Sequence, residues 1–146
     1  MFEGNIHGHI FTKNGIKVDP DRVQTITQIP HPTNNKSMQS FLGKIIFLRK
    51  FISDYAQIVK PMQDMIKKDV VYNWGKRENY AFTHIKQPII EAPALYNPDL
   101  KKGFLIYTFA FDNSLVVVLT QKDEMNDEHP ISFMSAIGPQ FWSIFA

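Results

Sequence analysis

Met38, Phe41, Leu42, Ile45, Leu48, Phe51 and Ile52 recur at offsets of three and four along the chain. In an α-helix that spacing gathers them into one apolar stripe, which has to be covered by neighbouring elements. Asn34 or Asn35 supplies an N-cap for this helix, and Gly43 permits a bend or a close contact. The segments on either side offer the cover. Asp19-Pro20 predicts a helix start, since Asp19 can accept from free N–H groups and Pro20 suits the first turn. Val23, Ile26 and Ile29 lie near one face of that helix, and Pro30 and Pro32 stop it. A third helix opens at Ser53 or Asp54, with Ile58, Met62, Met65 and Ile66 inward and a bend expected at Pro61. Three short helices with such stripes can bury one another as a small bundle.

The regions outside the bundle follow other patterns. Residues 4–18 alternate and contain Asn14-Gly15, which predicts one hairpin. Residues 70–74 read as a short extended piece. Residues 78–91 read as a fourth helix with Phe82, Ile85 and Ile89 on one side and a kink or early end at Pro88. Pro93 and Pro98 mark a linker. Residues 104–111, 115–120 and 130–134 then read as three strands in series, an antiparallel meander, with Asp112-Asn113 as the first turn. Residues 138–146 carry Phe141, Trp142 and Phe145 and read as a truncated element. The class expected is α+β.

Composition narrows what such a chain can do. It contains no Cys, which excludes disulfides, zinc knuckles and thiol nucleophiles. No apolar run reaches the roughly 20 residues that span a bilayer, and the first residues lack the pattern of a signal peptide. The expected setting is soluble and intracellular, without membrane association. Charge is unevenly spread. Lys36, Lys44, Arg49, Lys50, Lys60, Lys67 and Lys68 face only Asp54 and Asp64 in the same stretch, an excess of five positive charges in a chain of net charge +2. Such a segment suits either a solvated helix face or a polyanion. Lys44, Arg49 and Lys50 fall off the apolar stripe, toward solvent or a ligand.

No catalytic constellation emerges. His7 and His9 share a face if their segment is a strand, yet no third ligand has suitable spacing, so no metal site is expected. A Gly-rich phosphate loop is absent, and nothing arranges Ser, His and Asp as a triad. The aspartates fall in turns and helix starts; only Asp112 lies beside a strand where a metal could be held.

The order of the pieces is nevertheless distinctive. Ile6-His7-Gly8-His9 followed by Gly15-Ile16-Lys17-Val18-Asp19-Pro20 resembles the F-L-G-H…G-I-x-x-D-P stretch of gypsy-type long-terminal-repeat retrotransposon reverse transcriptases. Pro30-His31-Pro32-Thr33-Asn34, Ser40-Phe41-Leu42-Gly43 and Arg49-Lys50-Phe51-Ile52 continue the resemblance in order. So do Trp74, Ala81-Phe82, Ala92-Pro93-Ala94-Leu95, Pro98-Asp99 and His129-Pro130-Ile131-Ser132-Phe133.

This resemblance implies a layout. Residues 1–18 would be the end of the polymerase palm, at the loop that grips the primer. Residues 19–68 would be the thumb, 69–98 a tether, and 99–146 a truncated ribonuclease H-like domain. The fold implied is a small helical thumb bundle followed by a partial antiparallel ribonuclease H-like sheet. The nucleic-acid-binding residues would be His7, Gly8, Lys44, Arg49 and Lys50, meeting the backbone of an RNA–DNA or DNA duplex. The other partner would be the rest of a polyprotein. The alternative is a decayed or host-adopted, non-catalytic protein-interaction module.

The departures from the family pattern bear on chemistry. The polymerase's paired aspartates would precede Met1. The ribonuclease H strand usually reads T-D-A-S-D; here it is Thr108-Phe109-Ala110-Phe111-Asp112, so Phe109 stands at the metal-ligand position. The family's second carboxylate would fall at or past Ala146. Ser114 and Val116 replace glycines, and His7 replaces a Leu. The expectation is therefore no catalytic residue, no metal ligand and no cofactor in this segment, with magnesium belonging to the intact parent enzyme.

Overall fold

The computed structural model describes residues 4–6, 8–13 and 15–138. His7, and the aromatic tail at Phe141, Trp142 and Phe145, lie outside the described residues.

The opening segment is three strands rather than one hairpin. β1 (Gly4–Ile6) pairs antiparallel with β2 (His9–Thr12), and β2 with β3 (Gly15–Val18). The extra reversal lies at Gly8, whose φ of +83° is accessible to glycine at little cost. What alternation presents as a single strand is thus folded back on itself. A fourth strand, β4 (Leu95–Tyr96), joins this sheet from far along the chain, with Gly15 opposite Tyr96 and Ile16 opposite Leu95. Gly15 is needed there, because a β-carbon would sit 2.0 Å from the Leu95 carbonyl oxygen.

α1 (Pro20–Thr27) starts as its sequence predicts, with the Asp21 N–H donating to the Asp19 carboxylate at 3.0 Å. α2 (Asn35–Ile45) is capped by Asn34, which accepts from the Ser37 N–H at 2.8 Å, while the Ser37 hydroxyl accepts from the Asn34 N–H. The helix does not continue to Ile52. At Ile46 it tightens into a 3-10 helix, Ile46–Phe51, in which Leu48 and Phe51 stack three apart and both are buried. α3 (Tyr55–Met65) contains Pro61 without ending there.

Pro88 ends a helix early, and the place is explained by its ring. Proline clashes with the carbonyl four residues back, here that of His84. α4 (Lys76–His84) stops at that residue, and a short α5 (Lys86–Ile90) follows. Residues 70–74 carry no regular structure. Ala81, Phe82, Ile85, Ile89 and Leu95 join Met38, Phe41, Ile45, Leu48 and Met62 in one core. The stretch expected as a tether therefore supplies part of the core that holds the helices together.

The second sheet is the expected meander, β5 (Leu105–Ala110), β6 (Ser114–Lys122) and β7 (Glu128–Ile137), in that order and antiparallel. β6 is largely buried, whereas β5 is exposed along its whole length. The two halves are fastened together. α3 packs on β7, where the Ala56 N–H donates to the Ser135 hydroxyl at 2.8 Å. Buried Gln121 exchanges hydrogen bonds with the Asp99 backbone, both at 2.8 Å. The class is α+β. Among the described residues no helix is long and apolar enough to cross a membrane.

Candidate functional site

The 3-10 turn decides where two of the predicted site residues go. With Leu48 and Phe51 directed inward, Arg49 is left exposed and Lys50 half-buried. The Lys50 ammonium sits 5.6 Å from the centre of the Phe51 ring. Both cations line a groove of about 420 Å³ with Tyr55 and β7 residues Ser132 and Ser135. Burial pushes the Tyr55 hydroxyl up to about 12, partly offset by the positive charge of Arg49.

Lys44 occupies a different place. It is exposed in the last turn of α2, where a cation complements the helix dipole. It lines a separate hollow of about 370 Å³ with His31, Pro32, Ser40 and Phe41. His31 is stacked on Trp74, ring centres 5.1 Å apart. The structure thus brings Arg49 and Lys50 together and sets Lys44 in another groove.

Gly8 forms the tip between β1 and β2. A β-carbon there would lie 3.2 Å from Arg22 and 3.4 Å from the Phe47 ring, so the tip is seated on α1 and the 3-10 helix. Arg22 places its guanidinium 5.6 Å from the centre of the Phe47 ring. Arg22 is a cation at the hairpin tip that the charge pattern does not single out, because it lies outside the basic stretch. His9 packs against Phe47 and Phe51, with ring centres 5.1 and 5.4 Å away.

The other position of interest is Phe109. It lies on β5 opposite Val116 and is half exposed. Nearby, Asp112, Asn113 and Ser114 form a turn that faces Asp54 across a cavity of about 540 Å³. Desolvation raises the Asp54 carboxyl, and a hydrogen bond from Ser114 opposes that rise. An aromatic ring offers no donor to a divalent ion. Among the described residues no three His, Asp or Glu side chains cluster as metal ligands would. The residues around Phe109 do not fit the magnesium that a ribonuclease H site would hold.

A bundle of short helices closed by a four-stranded sheet, packed on a three-stranded meander, is the architecture of a reverse-transcriptase segment entering a ribonuclease H-like fold. Residues 74–139 match the family model of the RNase H-like domain found in reverse transcriptase. The chain is 42% identical over 134 residues to the retrovirus-related Pol polyprotein from transposon 297 of Drosophila melanogaster, covering 91% of this chain and 12% of that protein. It is 31% identical over 129 residues to the transposon Tf2-3 polyprotein of Schizosaccharomyces pombe, covering 88% of this chain and 10% of that one. Among solved structures it is similar to the foamy viral protease-reverse transcriptase in complex with dsDNA. There the TM-score is 0.81 at 19% identity, over 97% of this chain and 30% of the viral one. The same viral protein in complex with an RNA/DNA hybrid gives a TM-score of 0.80 at 20% identity, over 93% of this chain and 18% of that chain. Residues 74–139 thus carry the RNase H-like domain found in reverse transcriptase, and the chain as a whole is similar to a segment of retrotransposon polyproteins, spanning about an eighth of their length or less.

Proposed function

We propose that this chain is the part of a retrotransposon reverse transcriptase that holds the template–primer, and that by itself it completes no catalytic site. Residues 19–68 act as the thumb. Arg49 and Lys50 meet duplex phosphates from the groove beside β7, while Gly8 at the hairpin tip serves the primer and Lys44 contributes from its own hollow. Contacts of this kind give affinity that depends on salt and not on base sequence. One observation carries the reading: among the described residues Lys44, Arg49 and Lys50 form no salt bridge, so no carboxylate neutralises their charge. The ligand classes named for the foamy viral structures, dsDNA and an RNA/DNA hybrid, support a duplex as partner. Magnesium belongs, on this reading, to carboxylates supplied by the rest of the polyprotein, since Phe109 cannot hold it.

Fluorescence anisotropy with a labelled RNA–DNA hybrid and a DNA duplex tests the reading. Arg49→Glu with Lys50→Glu should weaken both roughly tenfold or more and flatten the salt dependence by about two phosphate contacts. Unaltered binding would sink the thumb-surface assignment. Magnesium-dependent cleavage of the hybrid by the purified chain would overturn the claim that no catalytic site is complete.

A further inference from the structure

Asp64 on α3 is a single carboxylate serving three cations. The Lys60 ammonium lies 2.6 Å and the Lys67 ammonium 2.8 Å from the same oxygen, Oδ1. Arg77, in the first turn of α4, reaches the other oxygen at 3.6 Å. Gln57, Lys60 and Asp64 fall on one face of α3 by helical spacing. Desolvation would raise the Asp64 carboxyl, but hydrogen bonds from Lys60 and Lys67, with their charges, outweigh it and hold it below its ordinary value. One negative charge cannot neutralise three positive ones, so an excess of two remains at one point. Arg77 also sits at a helix N-terminus, where the dipole disfavours a cation.

This excess charge faces a cavity of about 560 Å³ between α3, the start of α4 and the end of β7. Asn113 and Gly138 form the opposite wall, joined by a hydrogen bond from the Gly138 N–H to the Asn113 carbonyl. Gln57 and Asn113 also line the cavity at the β5–β6 turn, so the two hollows adjoin. The cations are only partly covered, with side-chain exposures of 34% for Lys60, 59% for Lys67 and 64% for Arg77. A small-molecule pocket encloses most of its ligand, which this does not do. An open, multiply cationic hollow lined with amides suits the phosphodiester of a passing polyanion.

We propose that Lys60, Lys67 and Arg77 form a second phosphate clamp for the duplex backbone, with Asp64 ordering the three cations and standing where a phosphate oxygen would otherwise sit. The proposal rests on the reading of this chain as a duplex-binding segment. It adds contacts beyond Arg49 and Lys50, and it gives Asp64 a role opposite in sign to theirs.

The test is the same anisotropy assay on the full chain, with an RNA–DNA hybrid at several salt concentrations. Lys67→Gln with Arg77→Gln should weaken binding roughly fivefold or more and lower the salt slope by about one to two contacts. Asp64→Asn should tighten binding several-fold and steepen the slope, a change of sign that a folding defect does not produce. If the double variant stays within about twofold of the parent while Arg49→Glu with Lys50→Glu weakens binding, the clamp is wrong and the duplex reading stands. If neither pair of substitutions matters, both fail.

Discussion

The Tyr96 ring lies flat on the His129 ring, centres 4.7 Å apart and planes 12° from parallel. Tyr96 belongs to the first sheet and His129 to the second, so this stack fastens the opening sheet to the meander. His129 is held in turn by Asp123, Nε2 to Oδ2 at 2.7 Å. Removing the ring with Tyr96→Ala should cost about 1 kcal/mol beyond the lost burial. A urea titration followed by tryptophan fluorescence and by circular dichroism would show it as a lower midpoint.

The same corner responds to acid. The hydrogen bond with His129, then the backbone N–H of Asp127, hold the Asp123 carboxyl below its ordinary value, against a smaller opposing effect of desolvation. A depressed carboxyl stabilises the fold above the unfolded value of 3.8 and loses that contribution as pH falls through the lower, folded value. Asp123→Asn should therefore flatten the acid limb of the stability profile. Thermal melting across the acid range checks this, and an acid limb identical to the parent's would refute it.

Tyr55 governs the alkaline side. Its hydroxyl is raised from 10.0 to about 12 by burial. The folded state thus keeps a proton that the unfolded state has released, and stability falls as pH rises between those values. The loss approaches about 2–3 kcal/mol at the alkaline end. Tyr55→Phe should remove that part of the decline. Phenolate absorbance during unfolding reports the same event, because Tyr55 should ionise only as the protein opens.

Much of this arrangement is visible in the sequence where the signal is local. The helix stripes, the Asp19 and Asn34 caps and the meander all arise from spacing within a few residues. The switch to a 3-10 turn is less visible, because Leu48 and Phe51 satisfy a three-residue period as well as a 3.6-residue one. β4 is hidden because two residues carry no pattern, and its partner β3 lies on the far side of five α-helices and the 3-10 helix. Gly8 looks like an ordinary strand position until the reversal is seen. The site is legible to the same extent. Arg49 and Lys50 stand off the stripe, and Lys60, Asp64 and Lys67 show ion-pair spacing. That Lys44 faces another groove, and that Arg77 reaches Asp64 from a different helix, follow only from packing.

At Gly15 the constraint is steric, with the Leu95 carbonyl occupying the space of a side chain. Gly15→Ala should force β3 and β4 apart and lower stability by about 2 kcal/mol or more. Hydrogen exchange should then show the loss first at Ile16 and Leu95.

That short ladder has a mechanical consequence. The chain enters the helical unit from β3 and leaves it through β4, and these two strands are bonded to each other. A pull transmitted along the polypeptide from both sides meets this pair before any helix. The helices are shielded from tension until this antiparallel ladder, loaded at its adjacent ends, unzips.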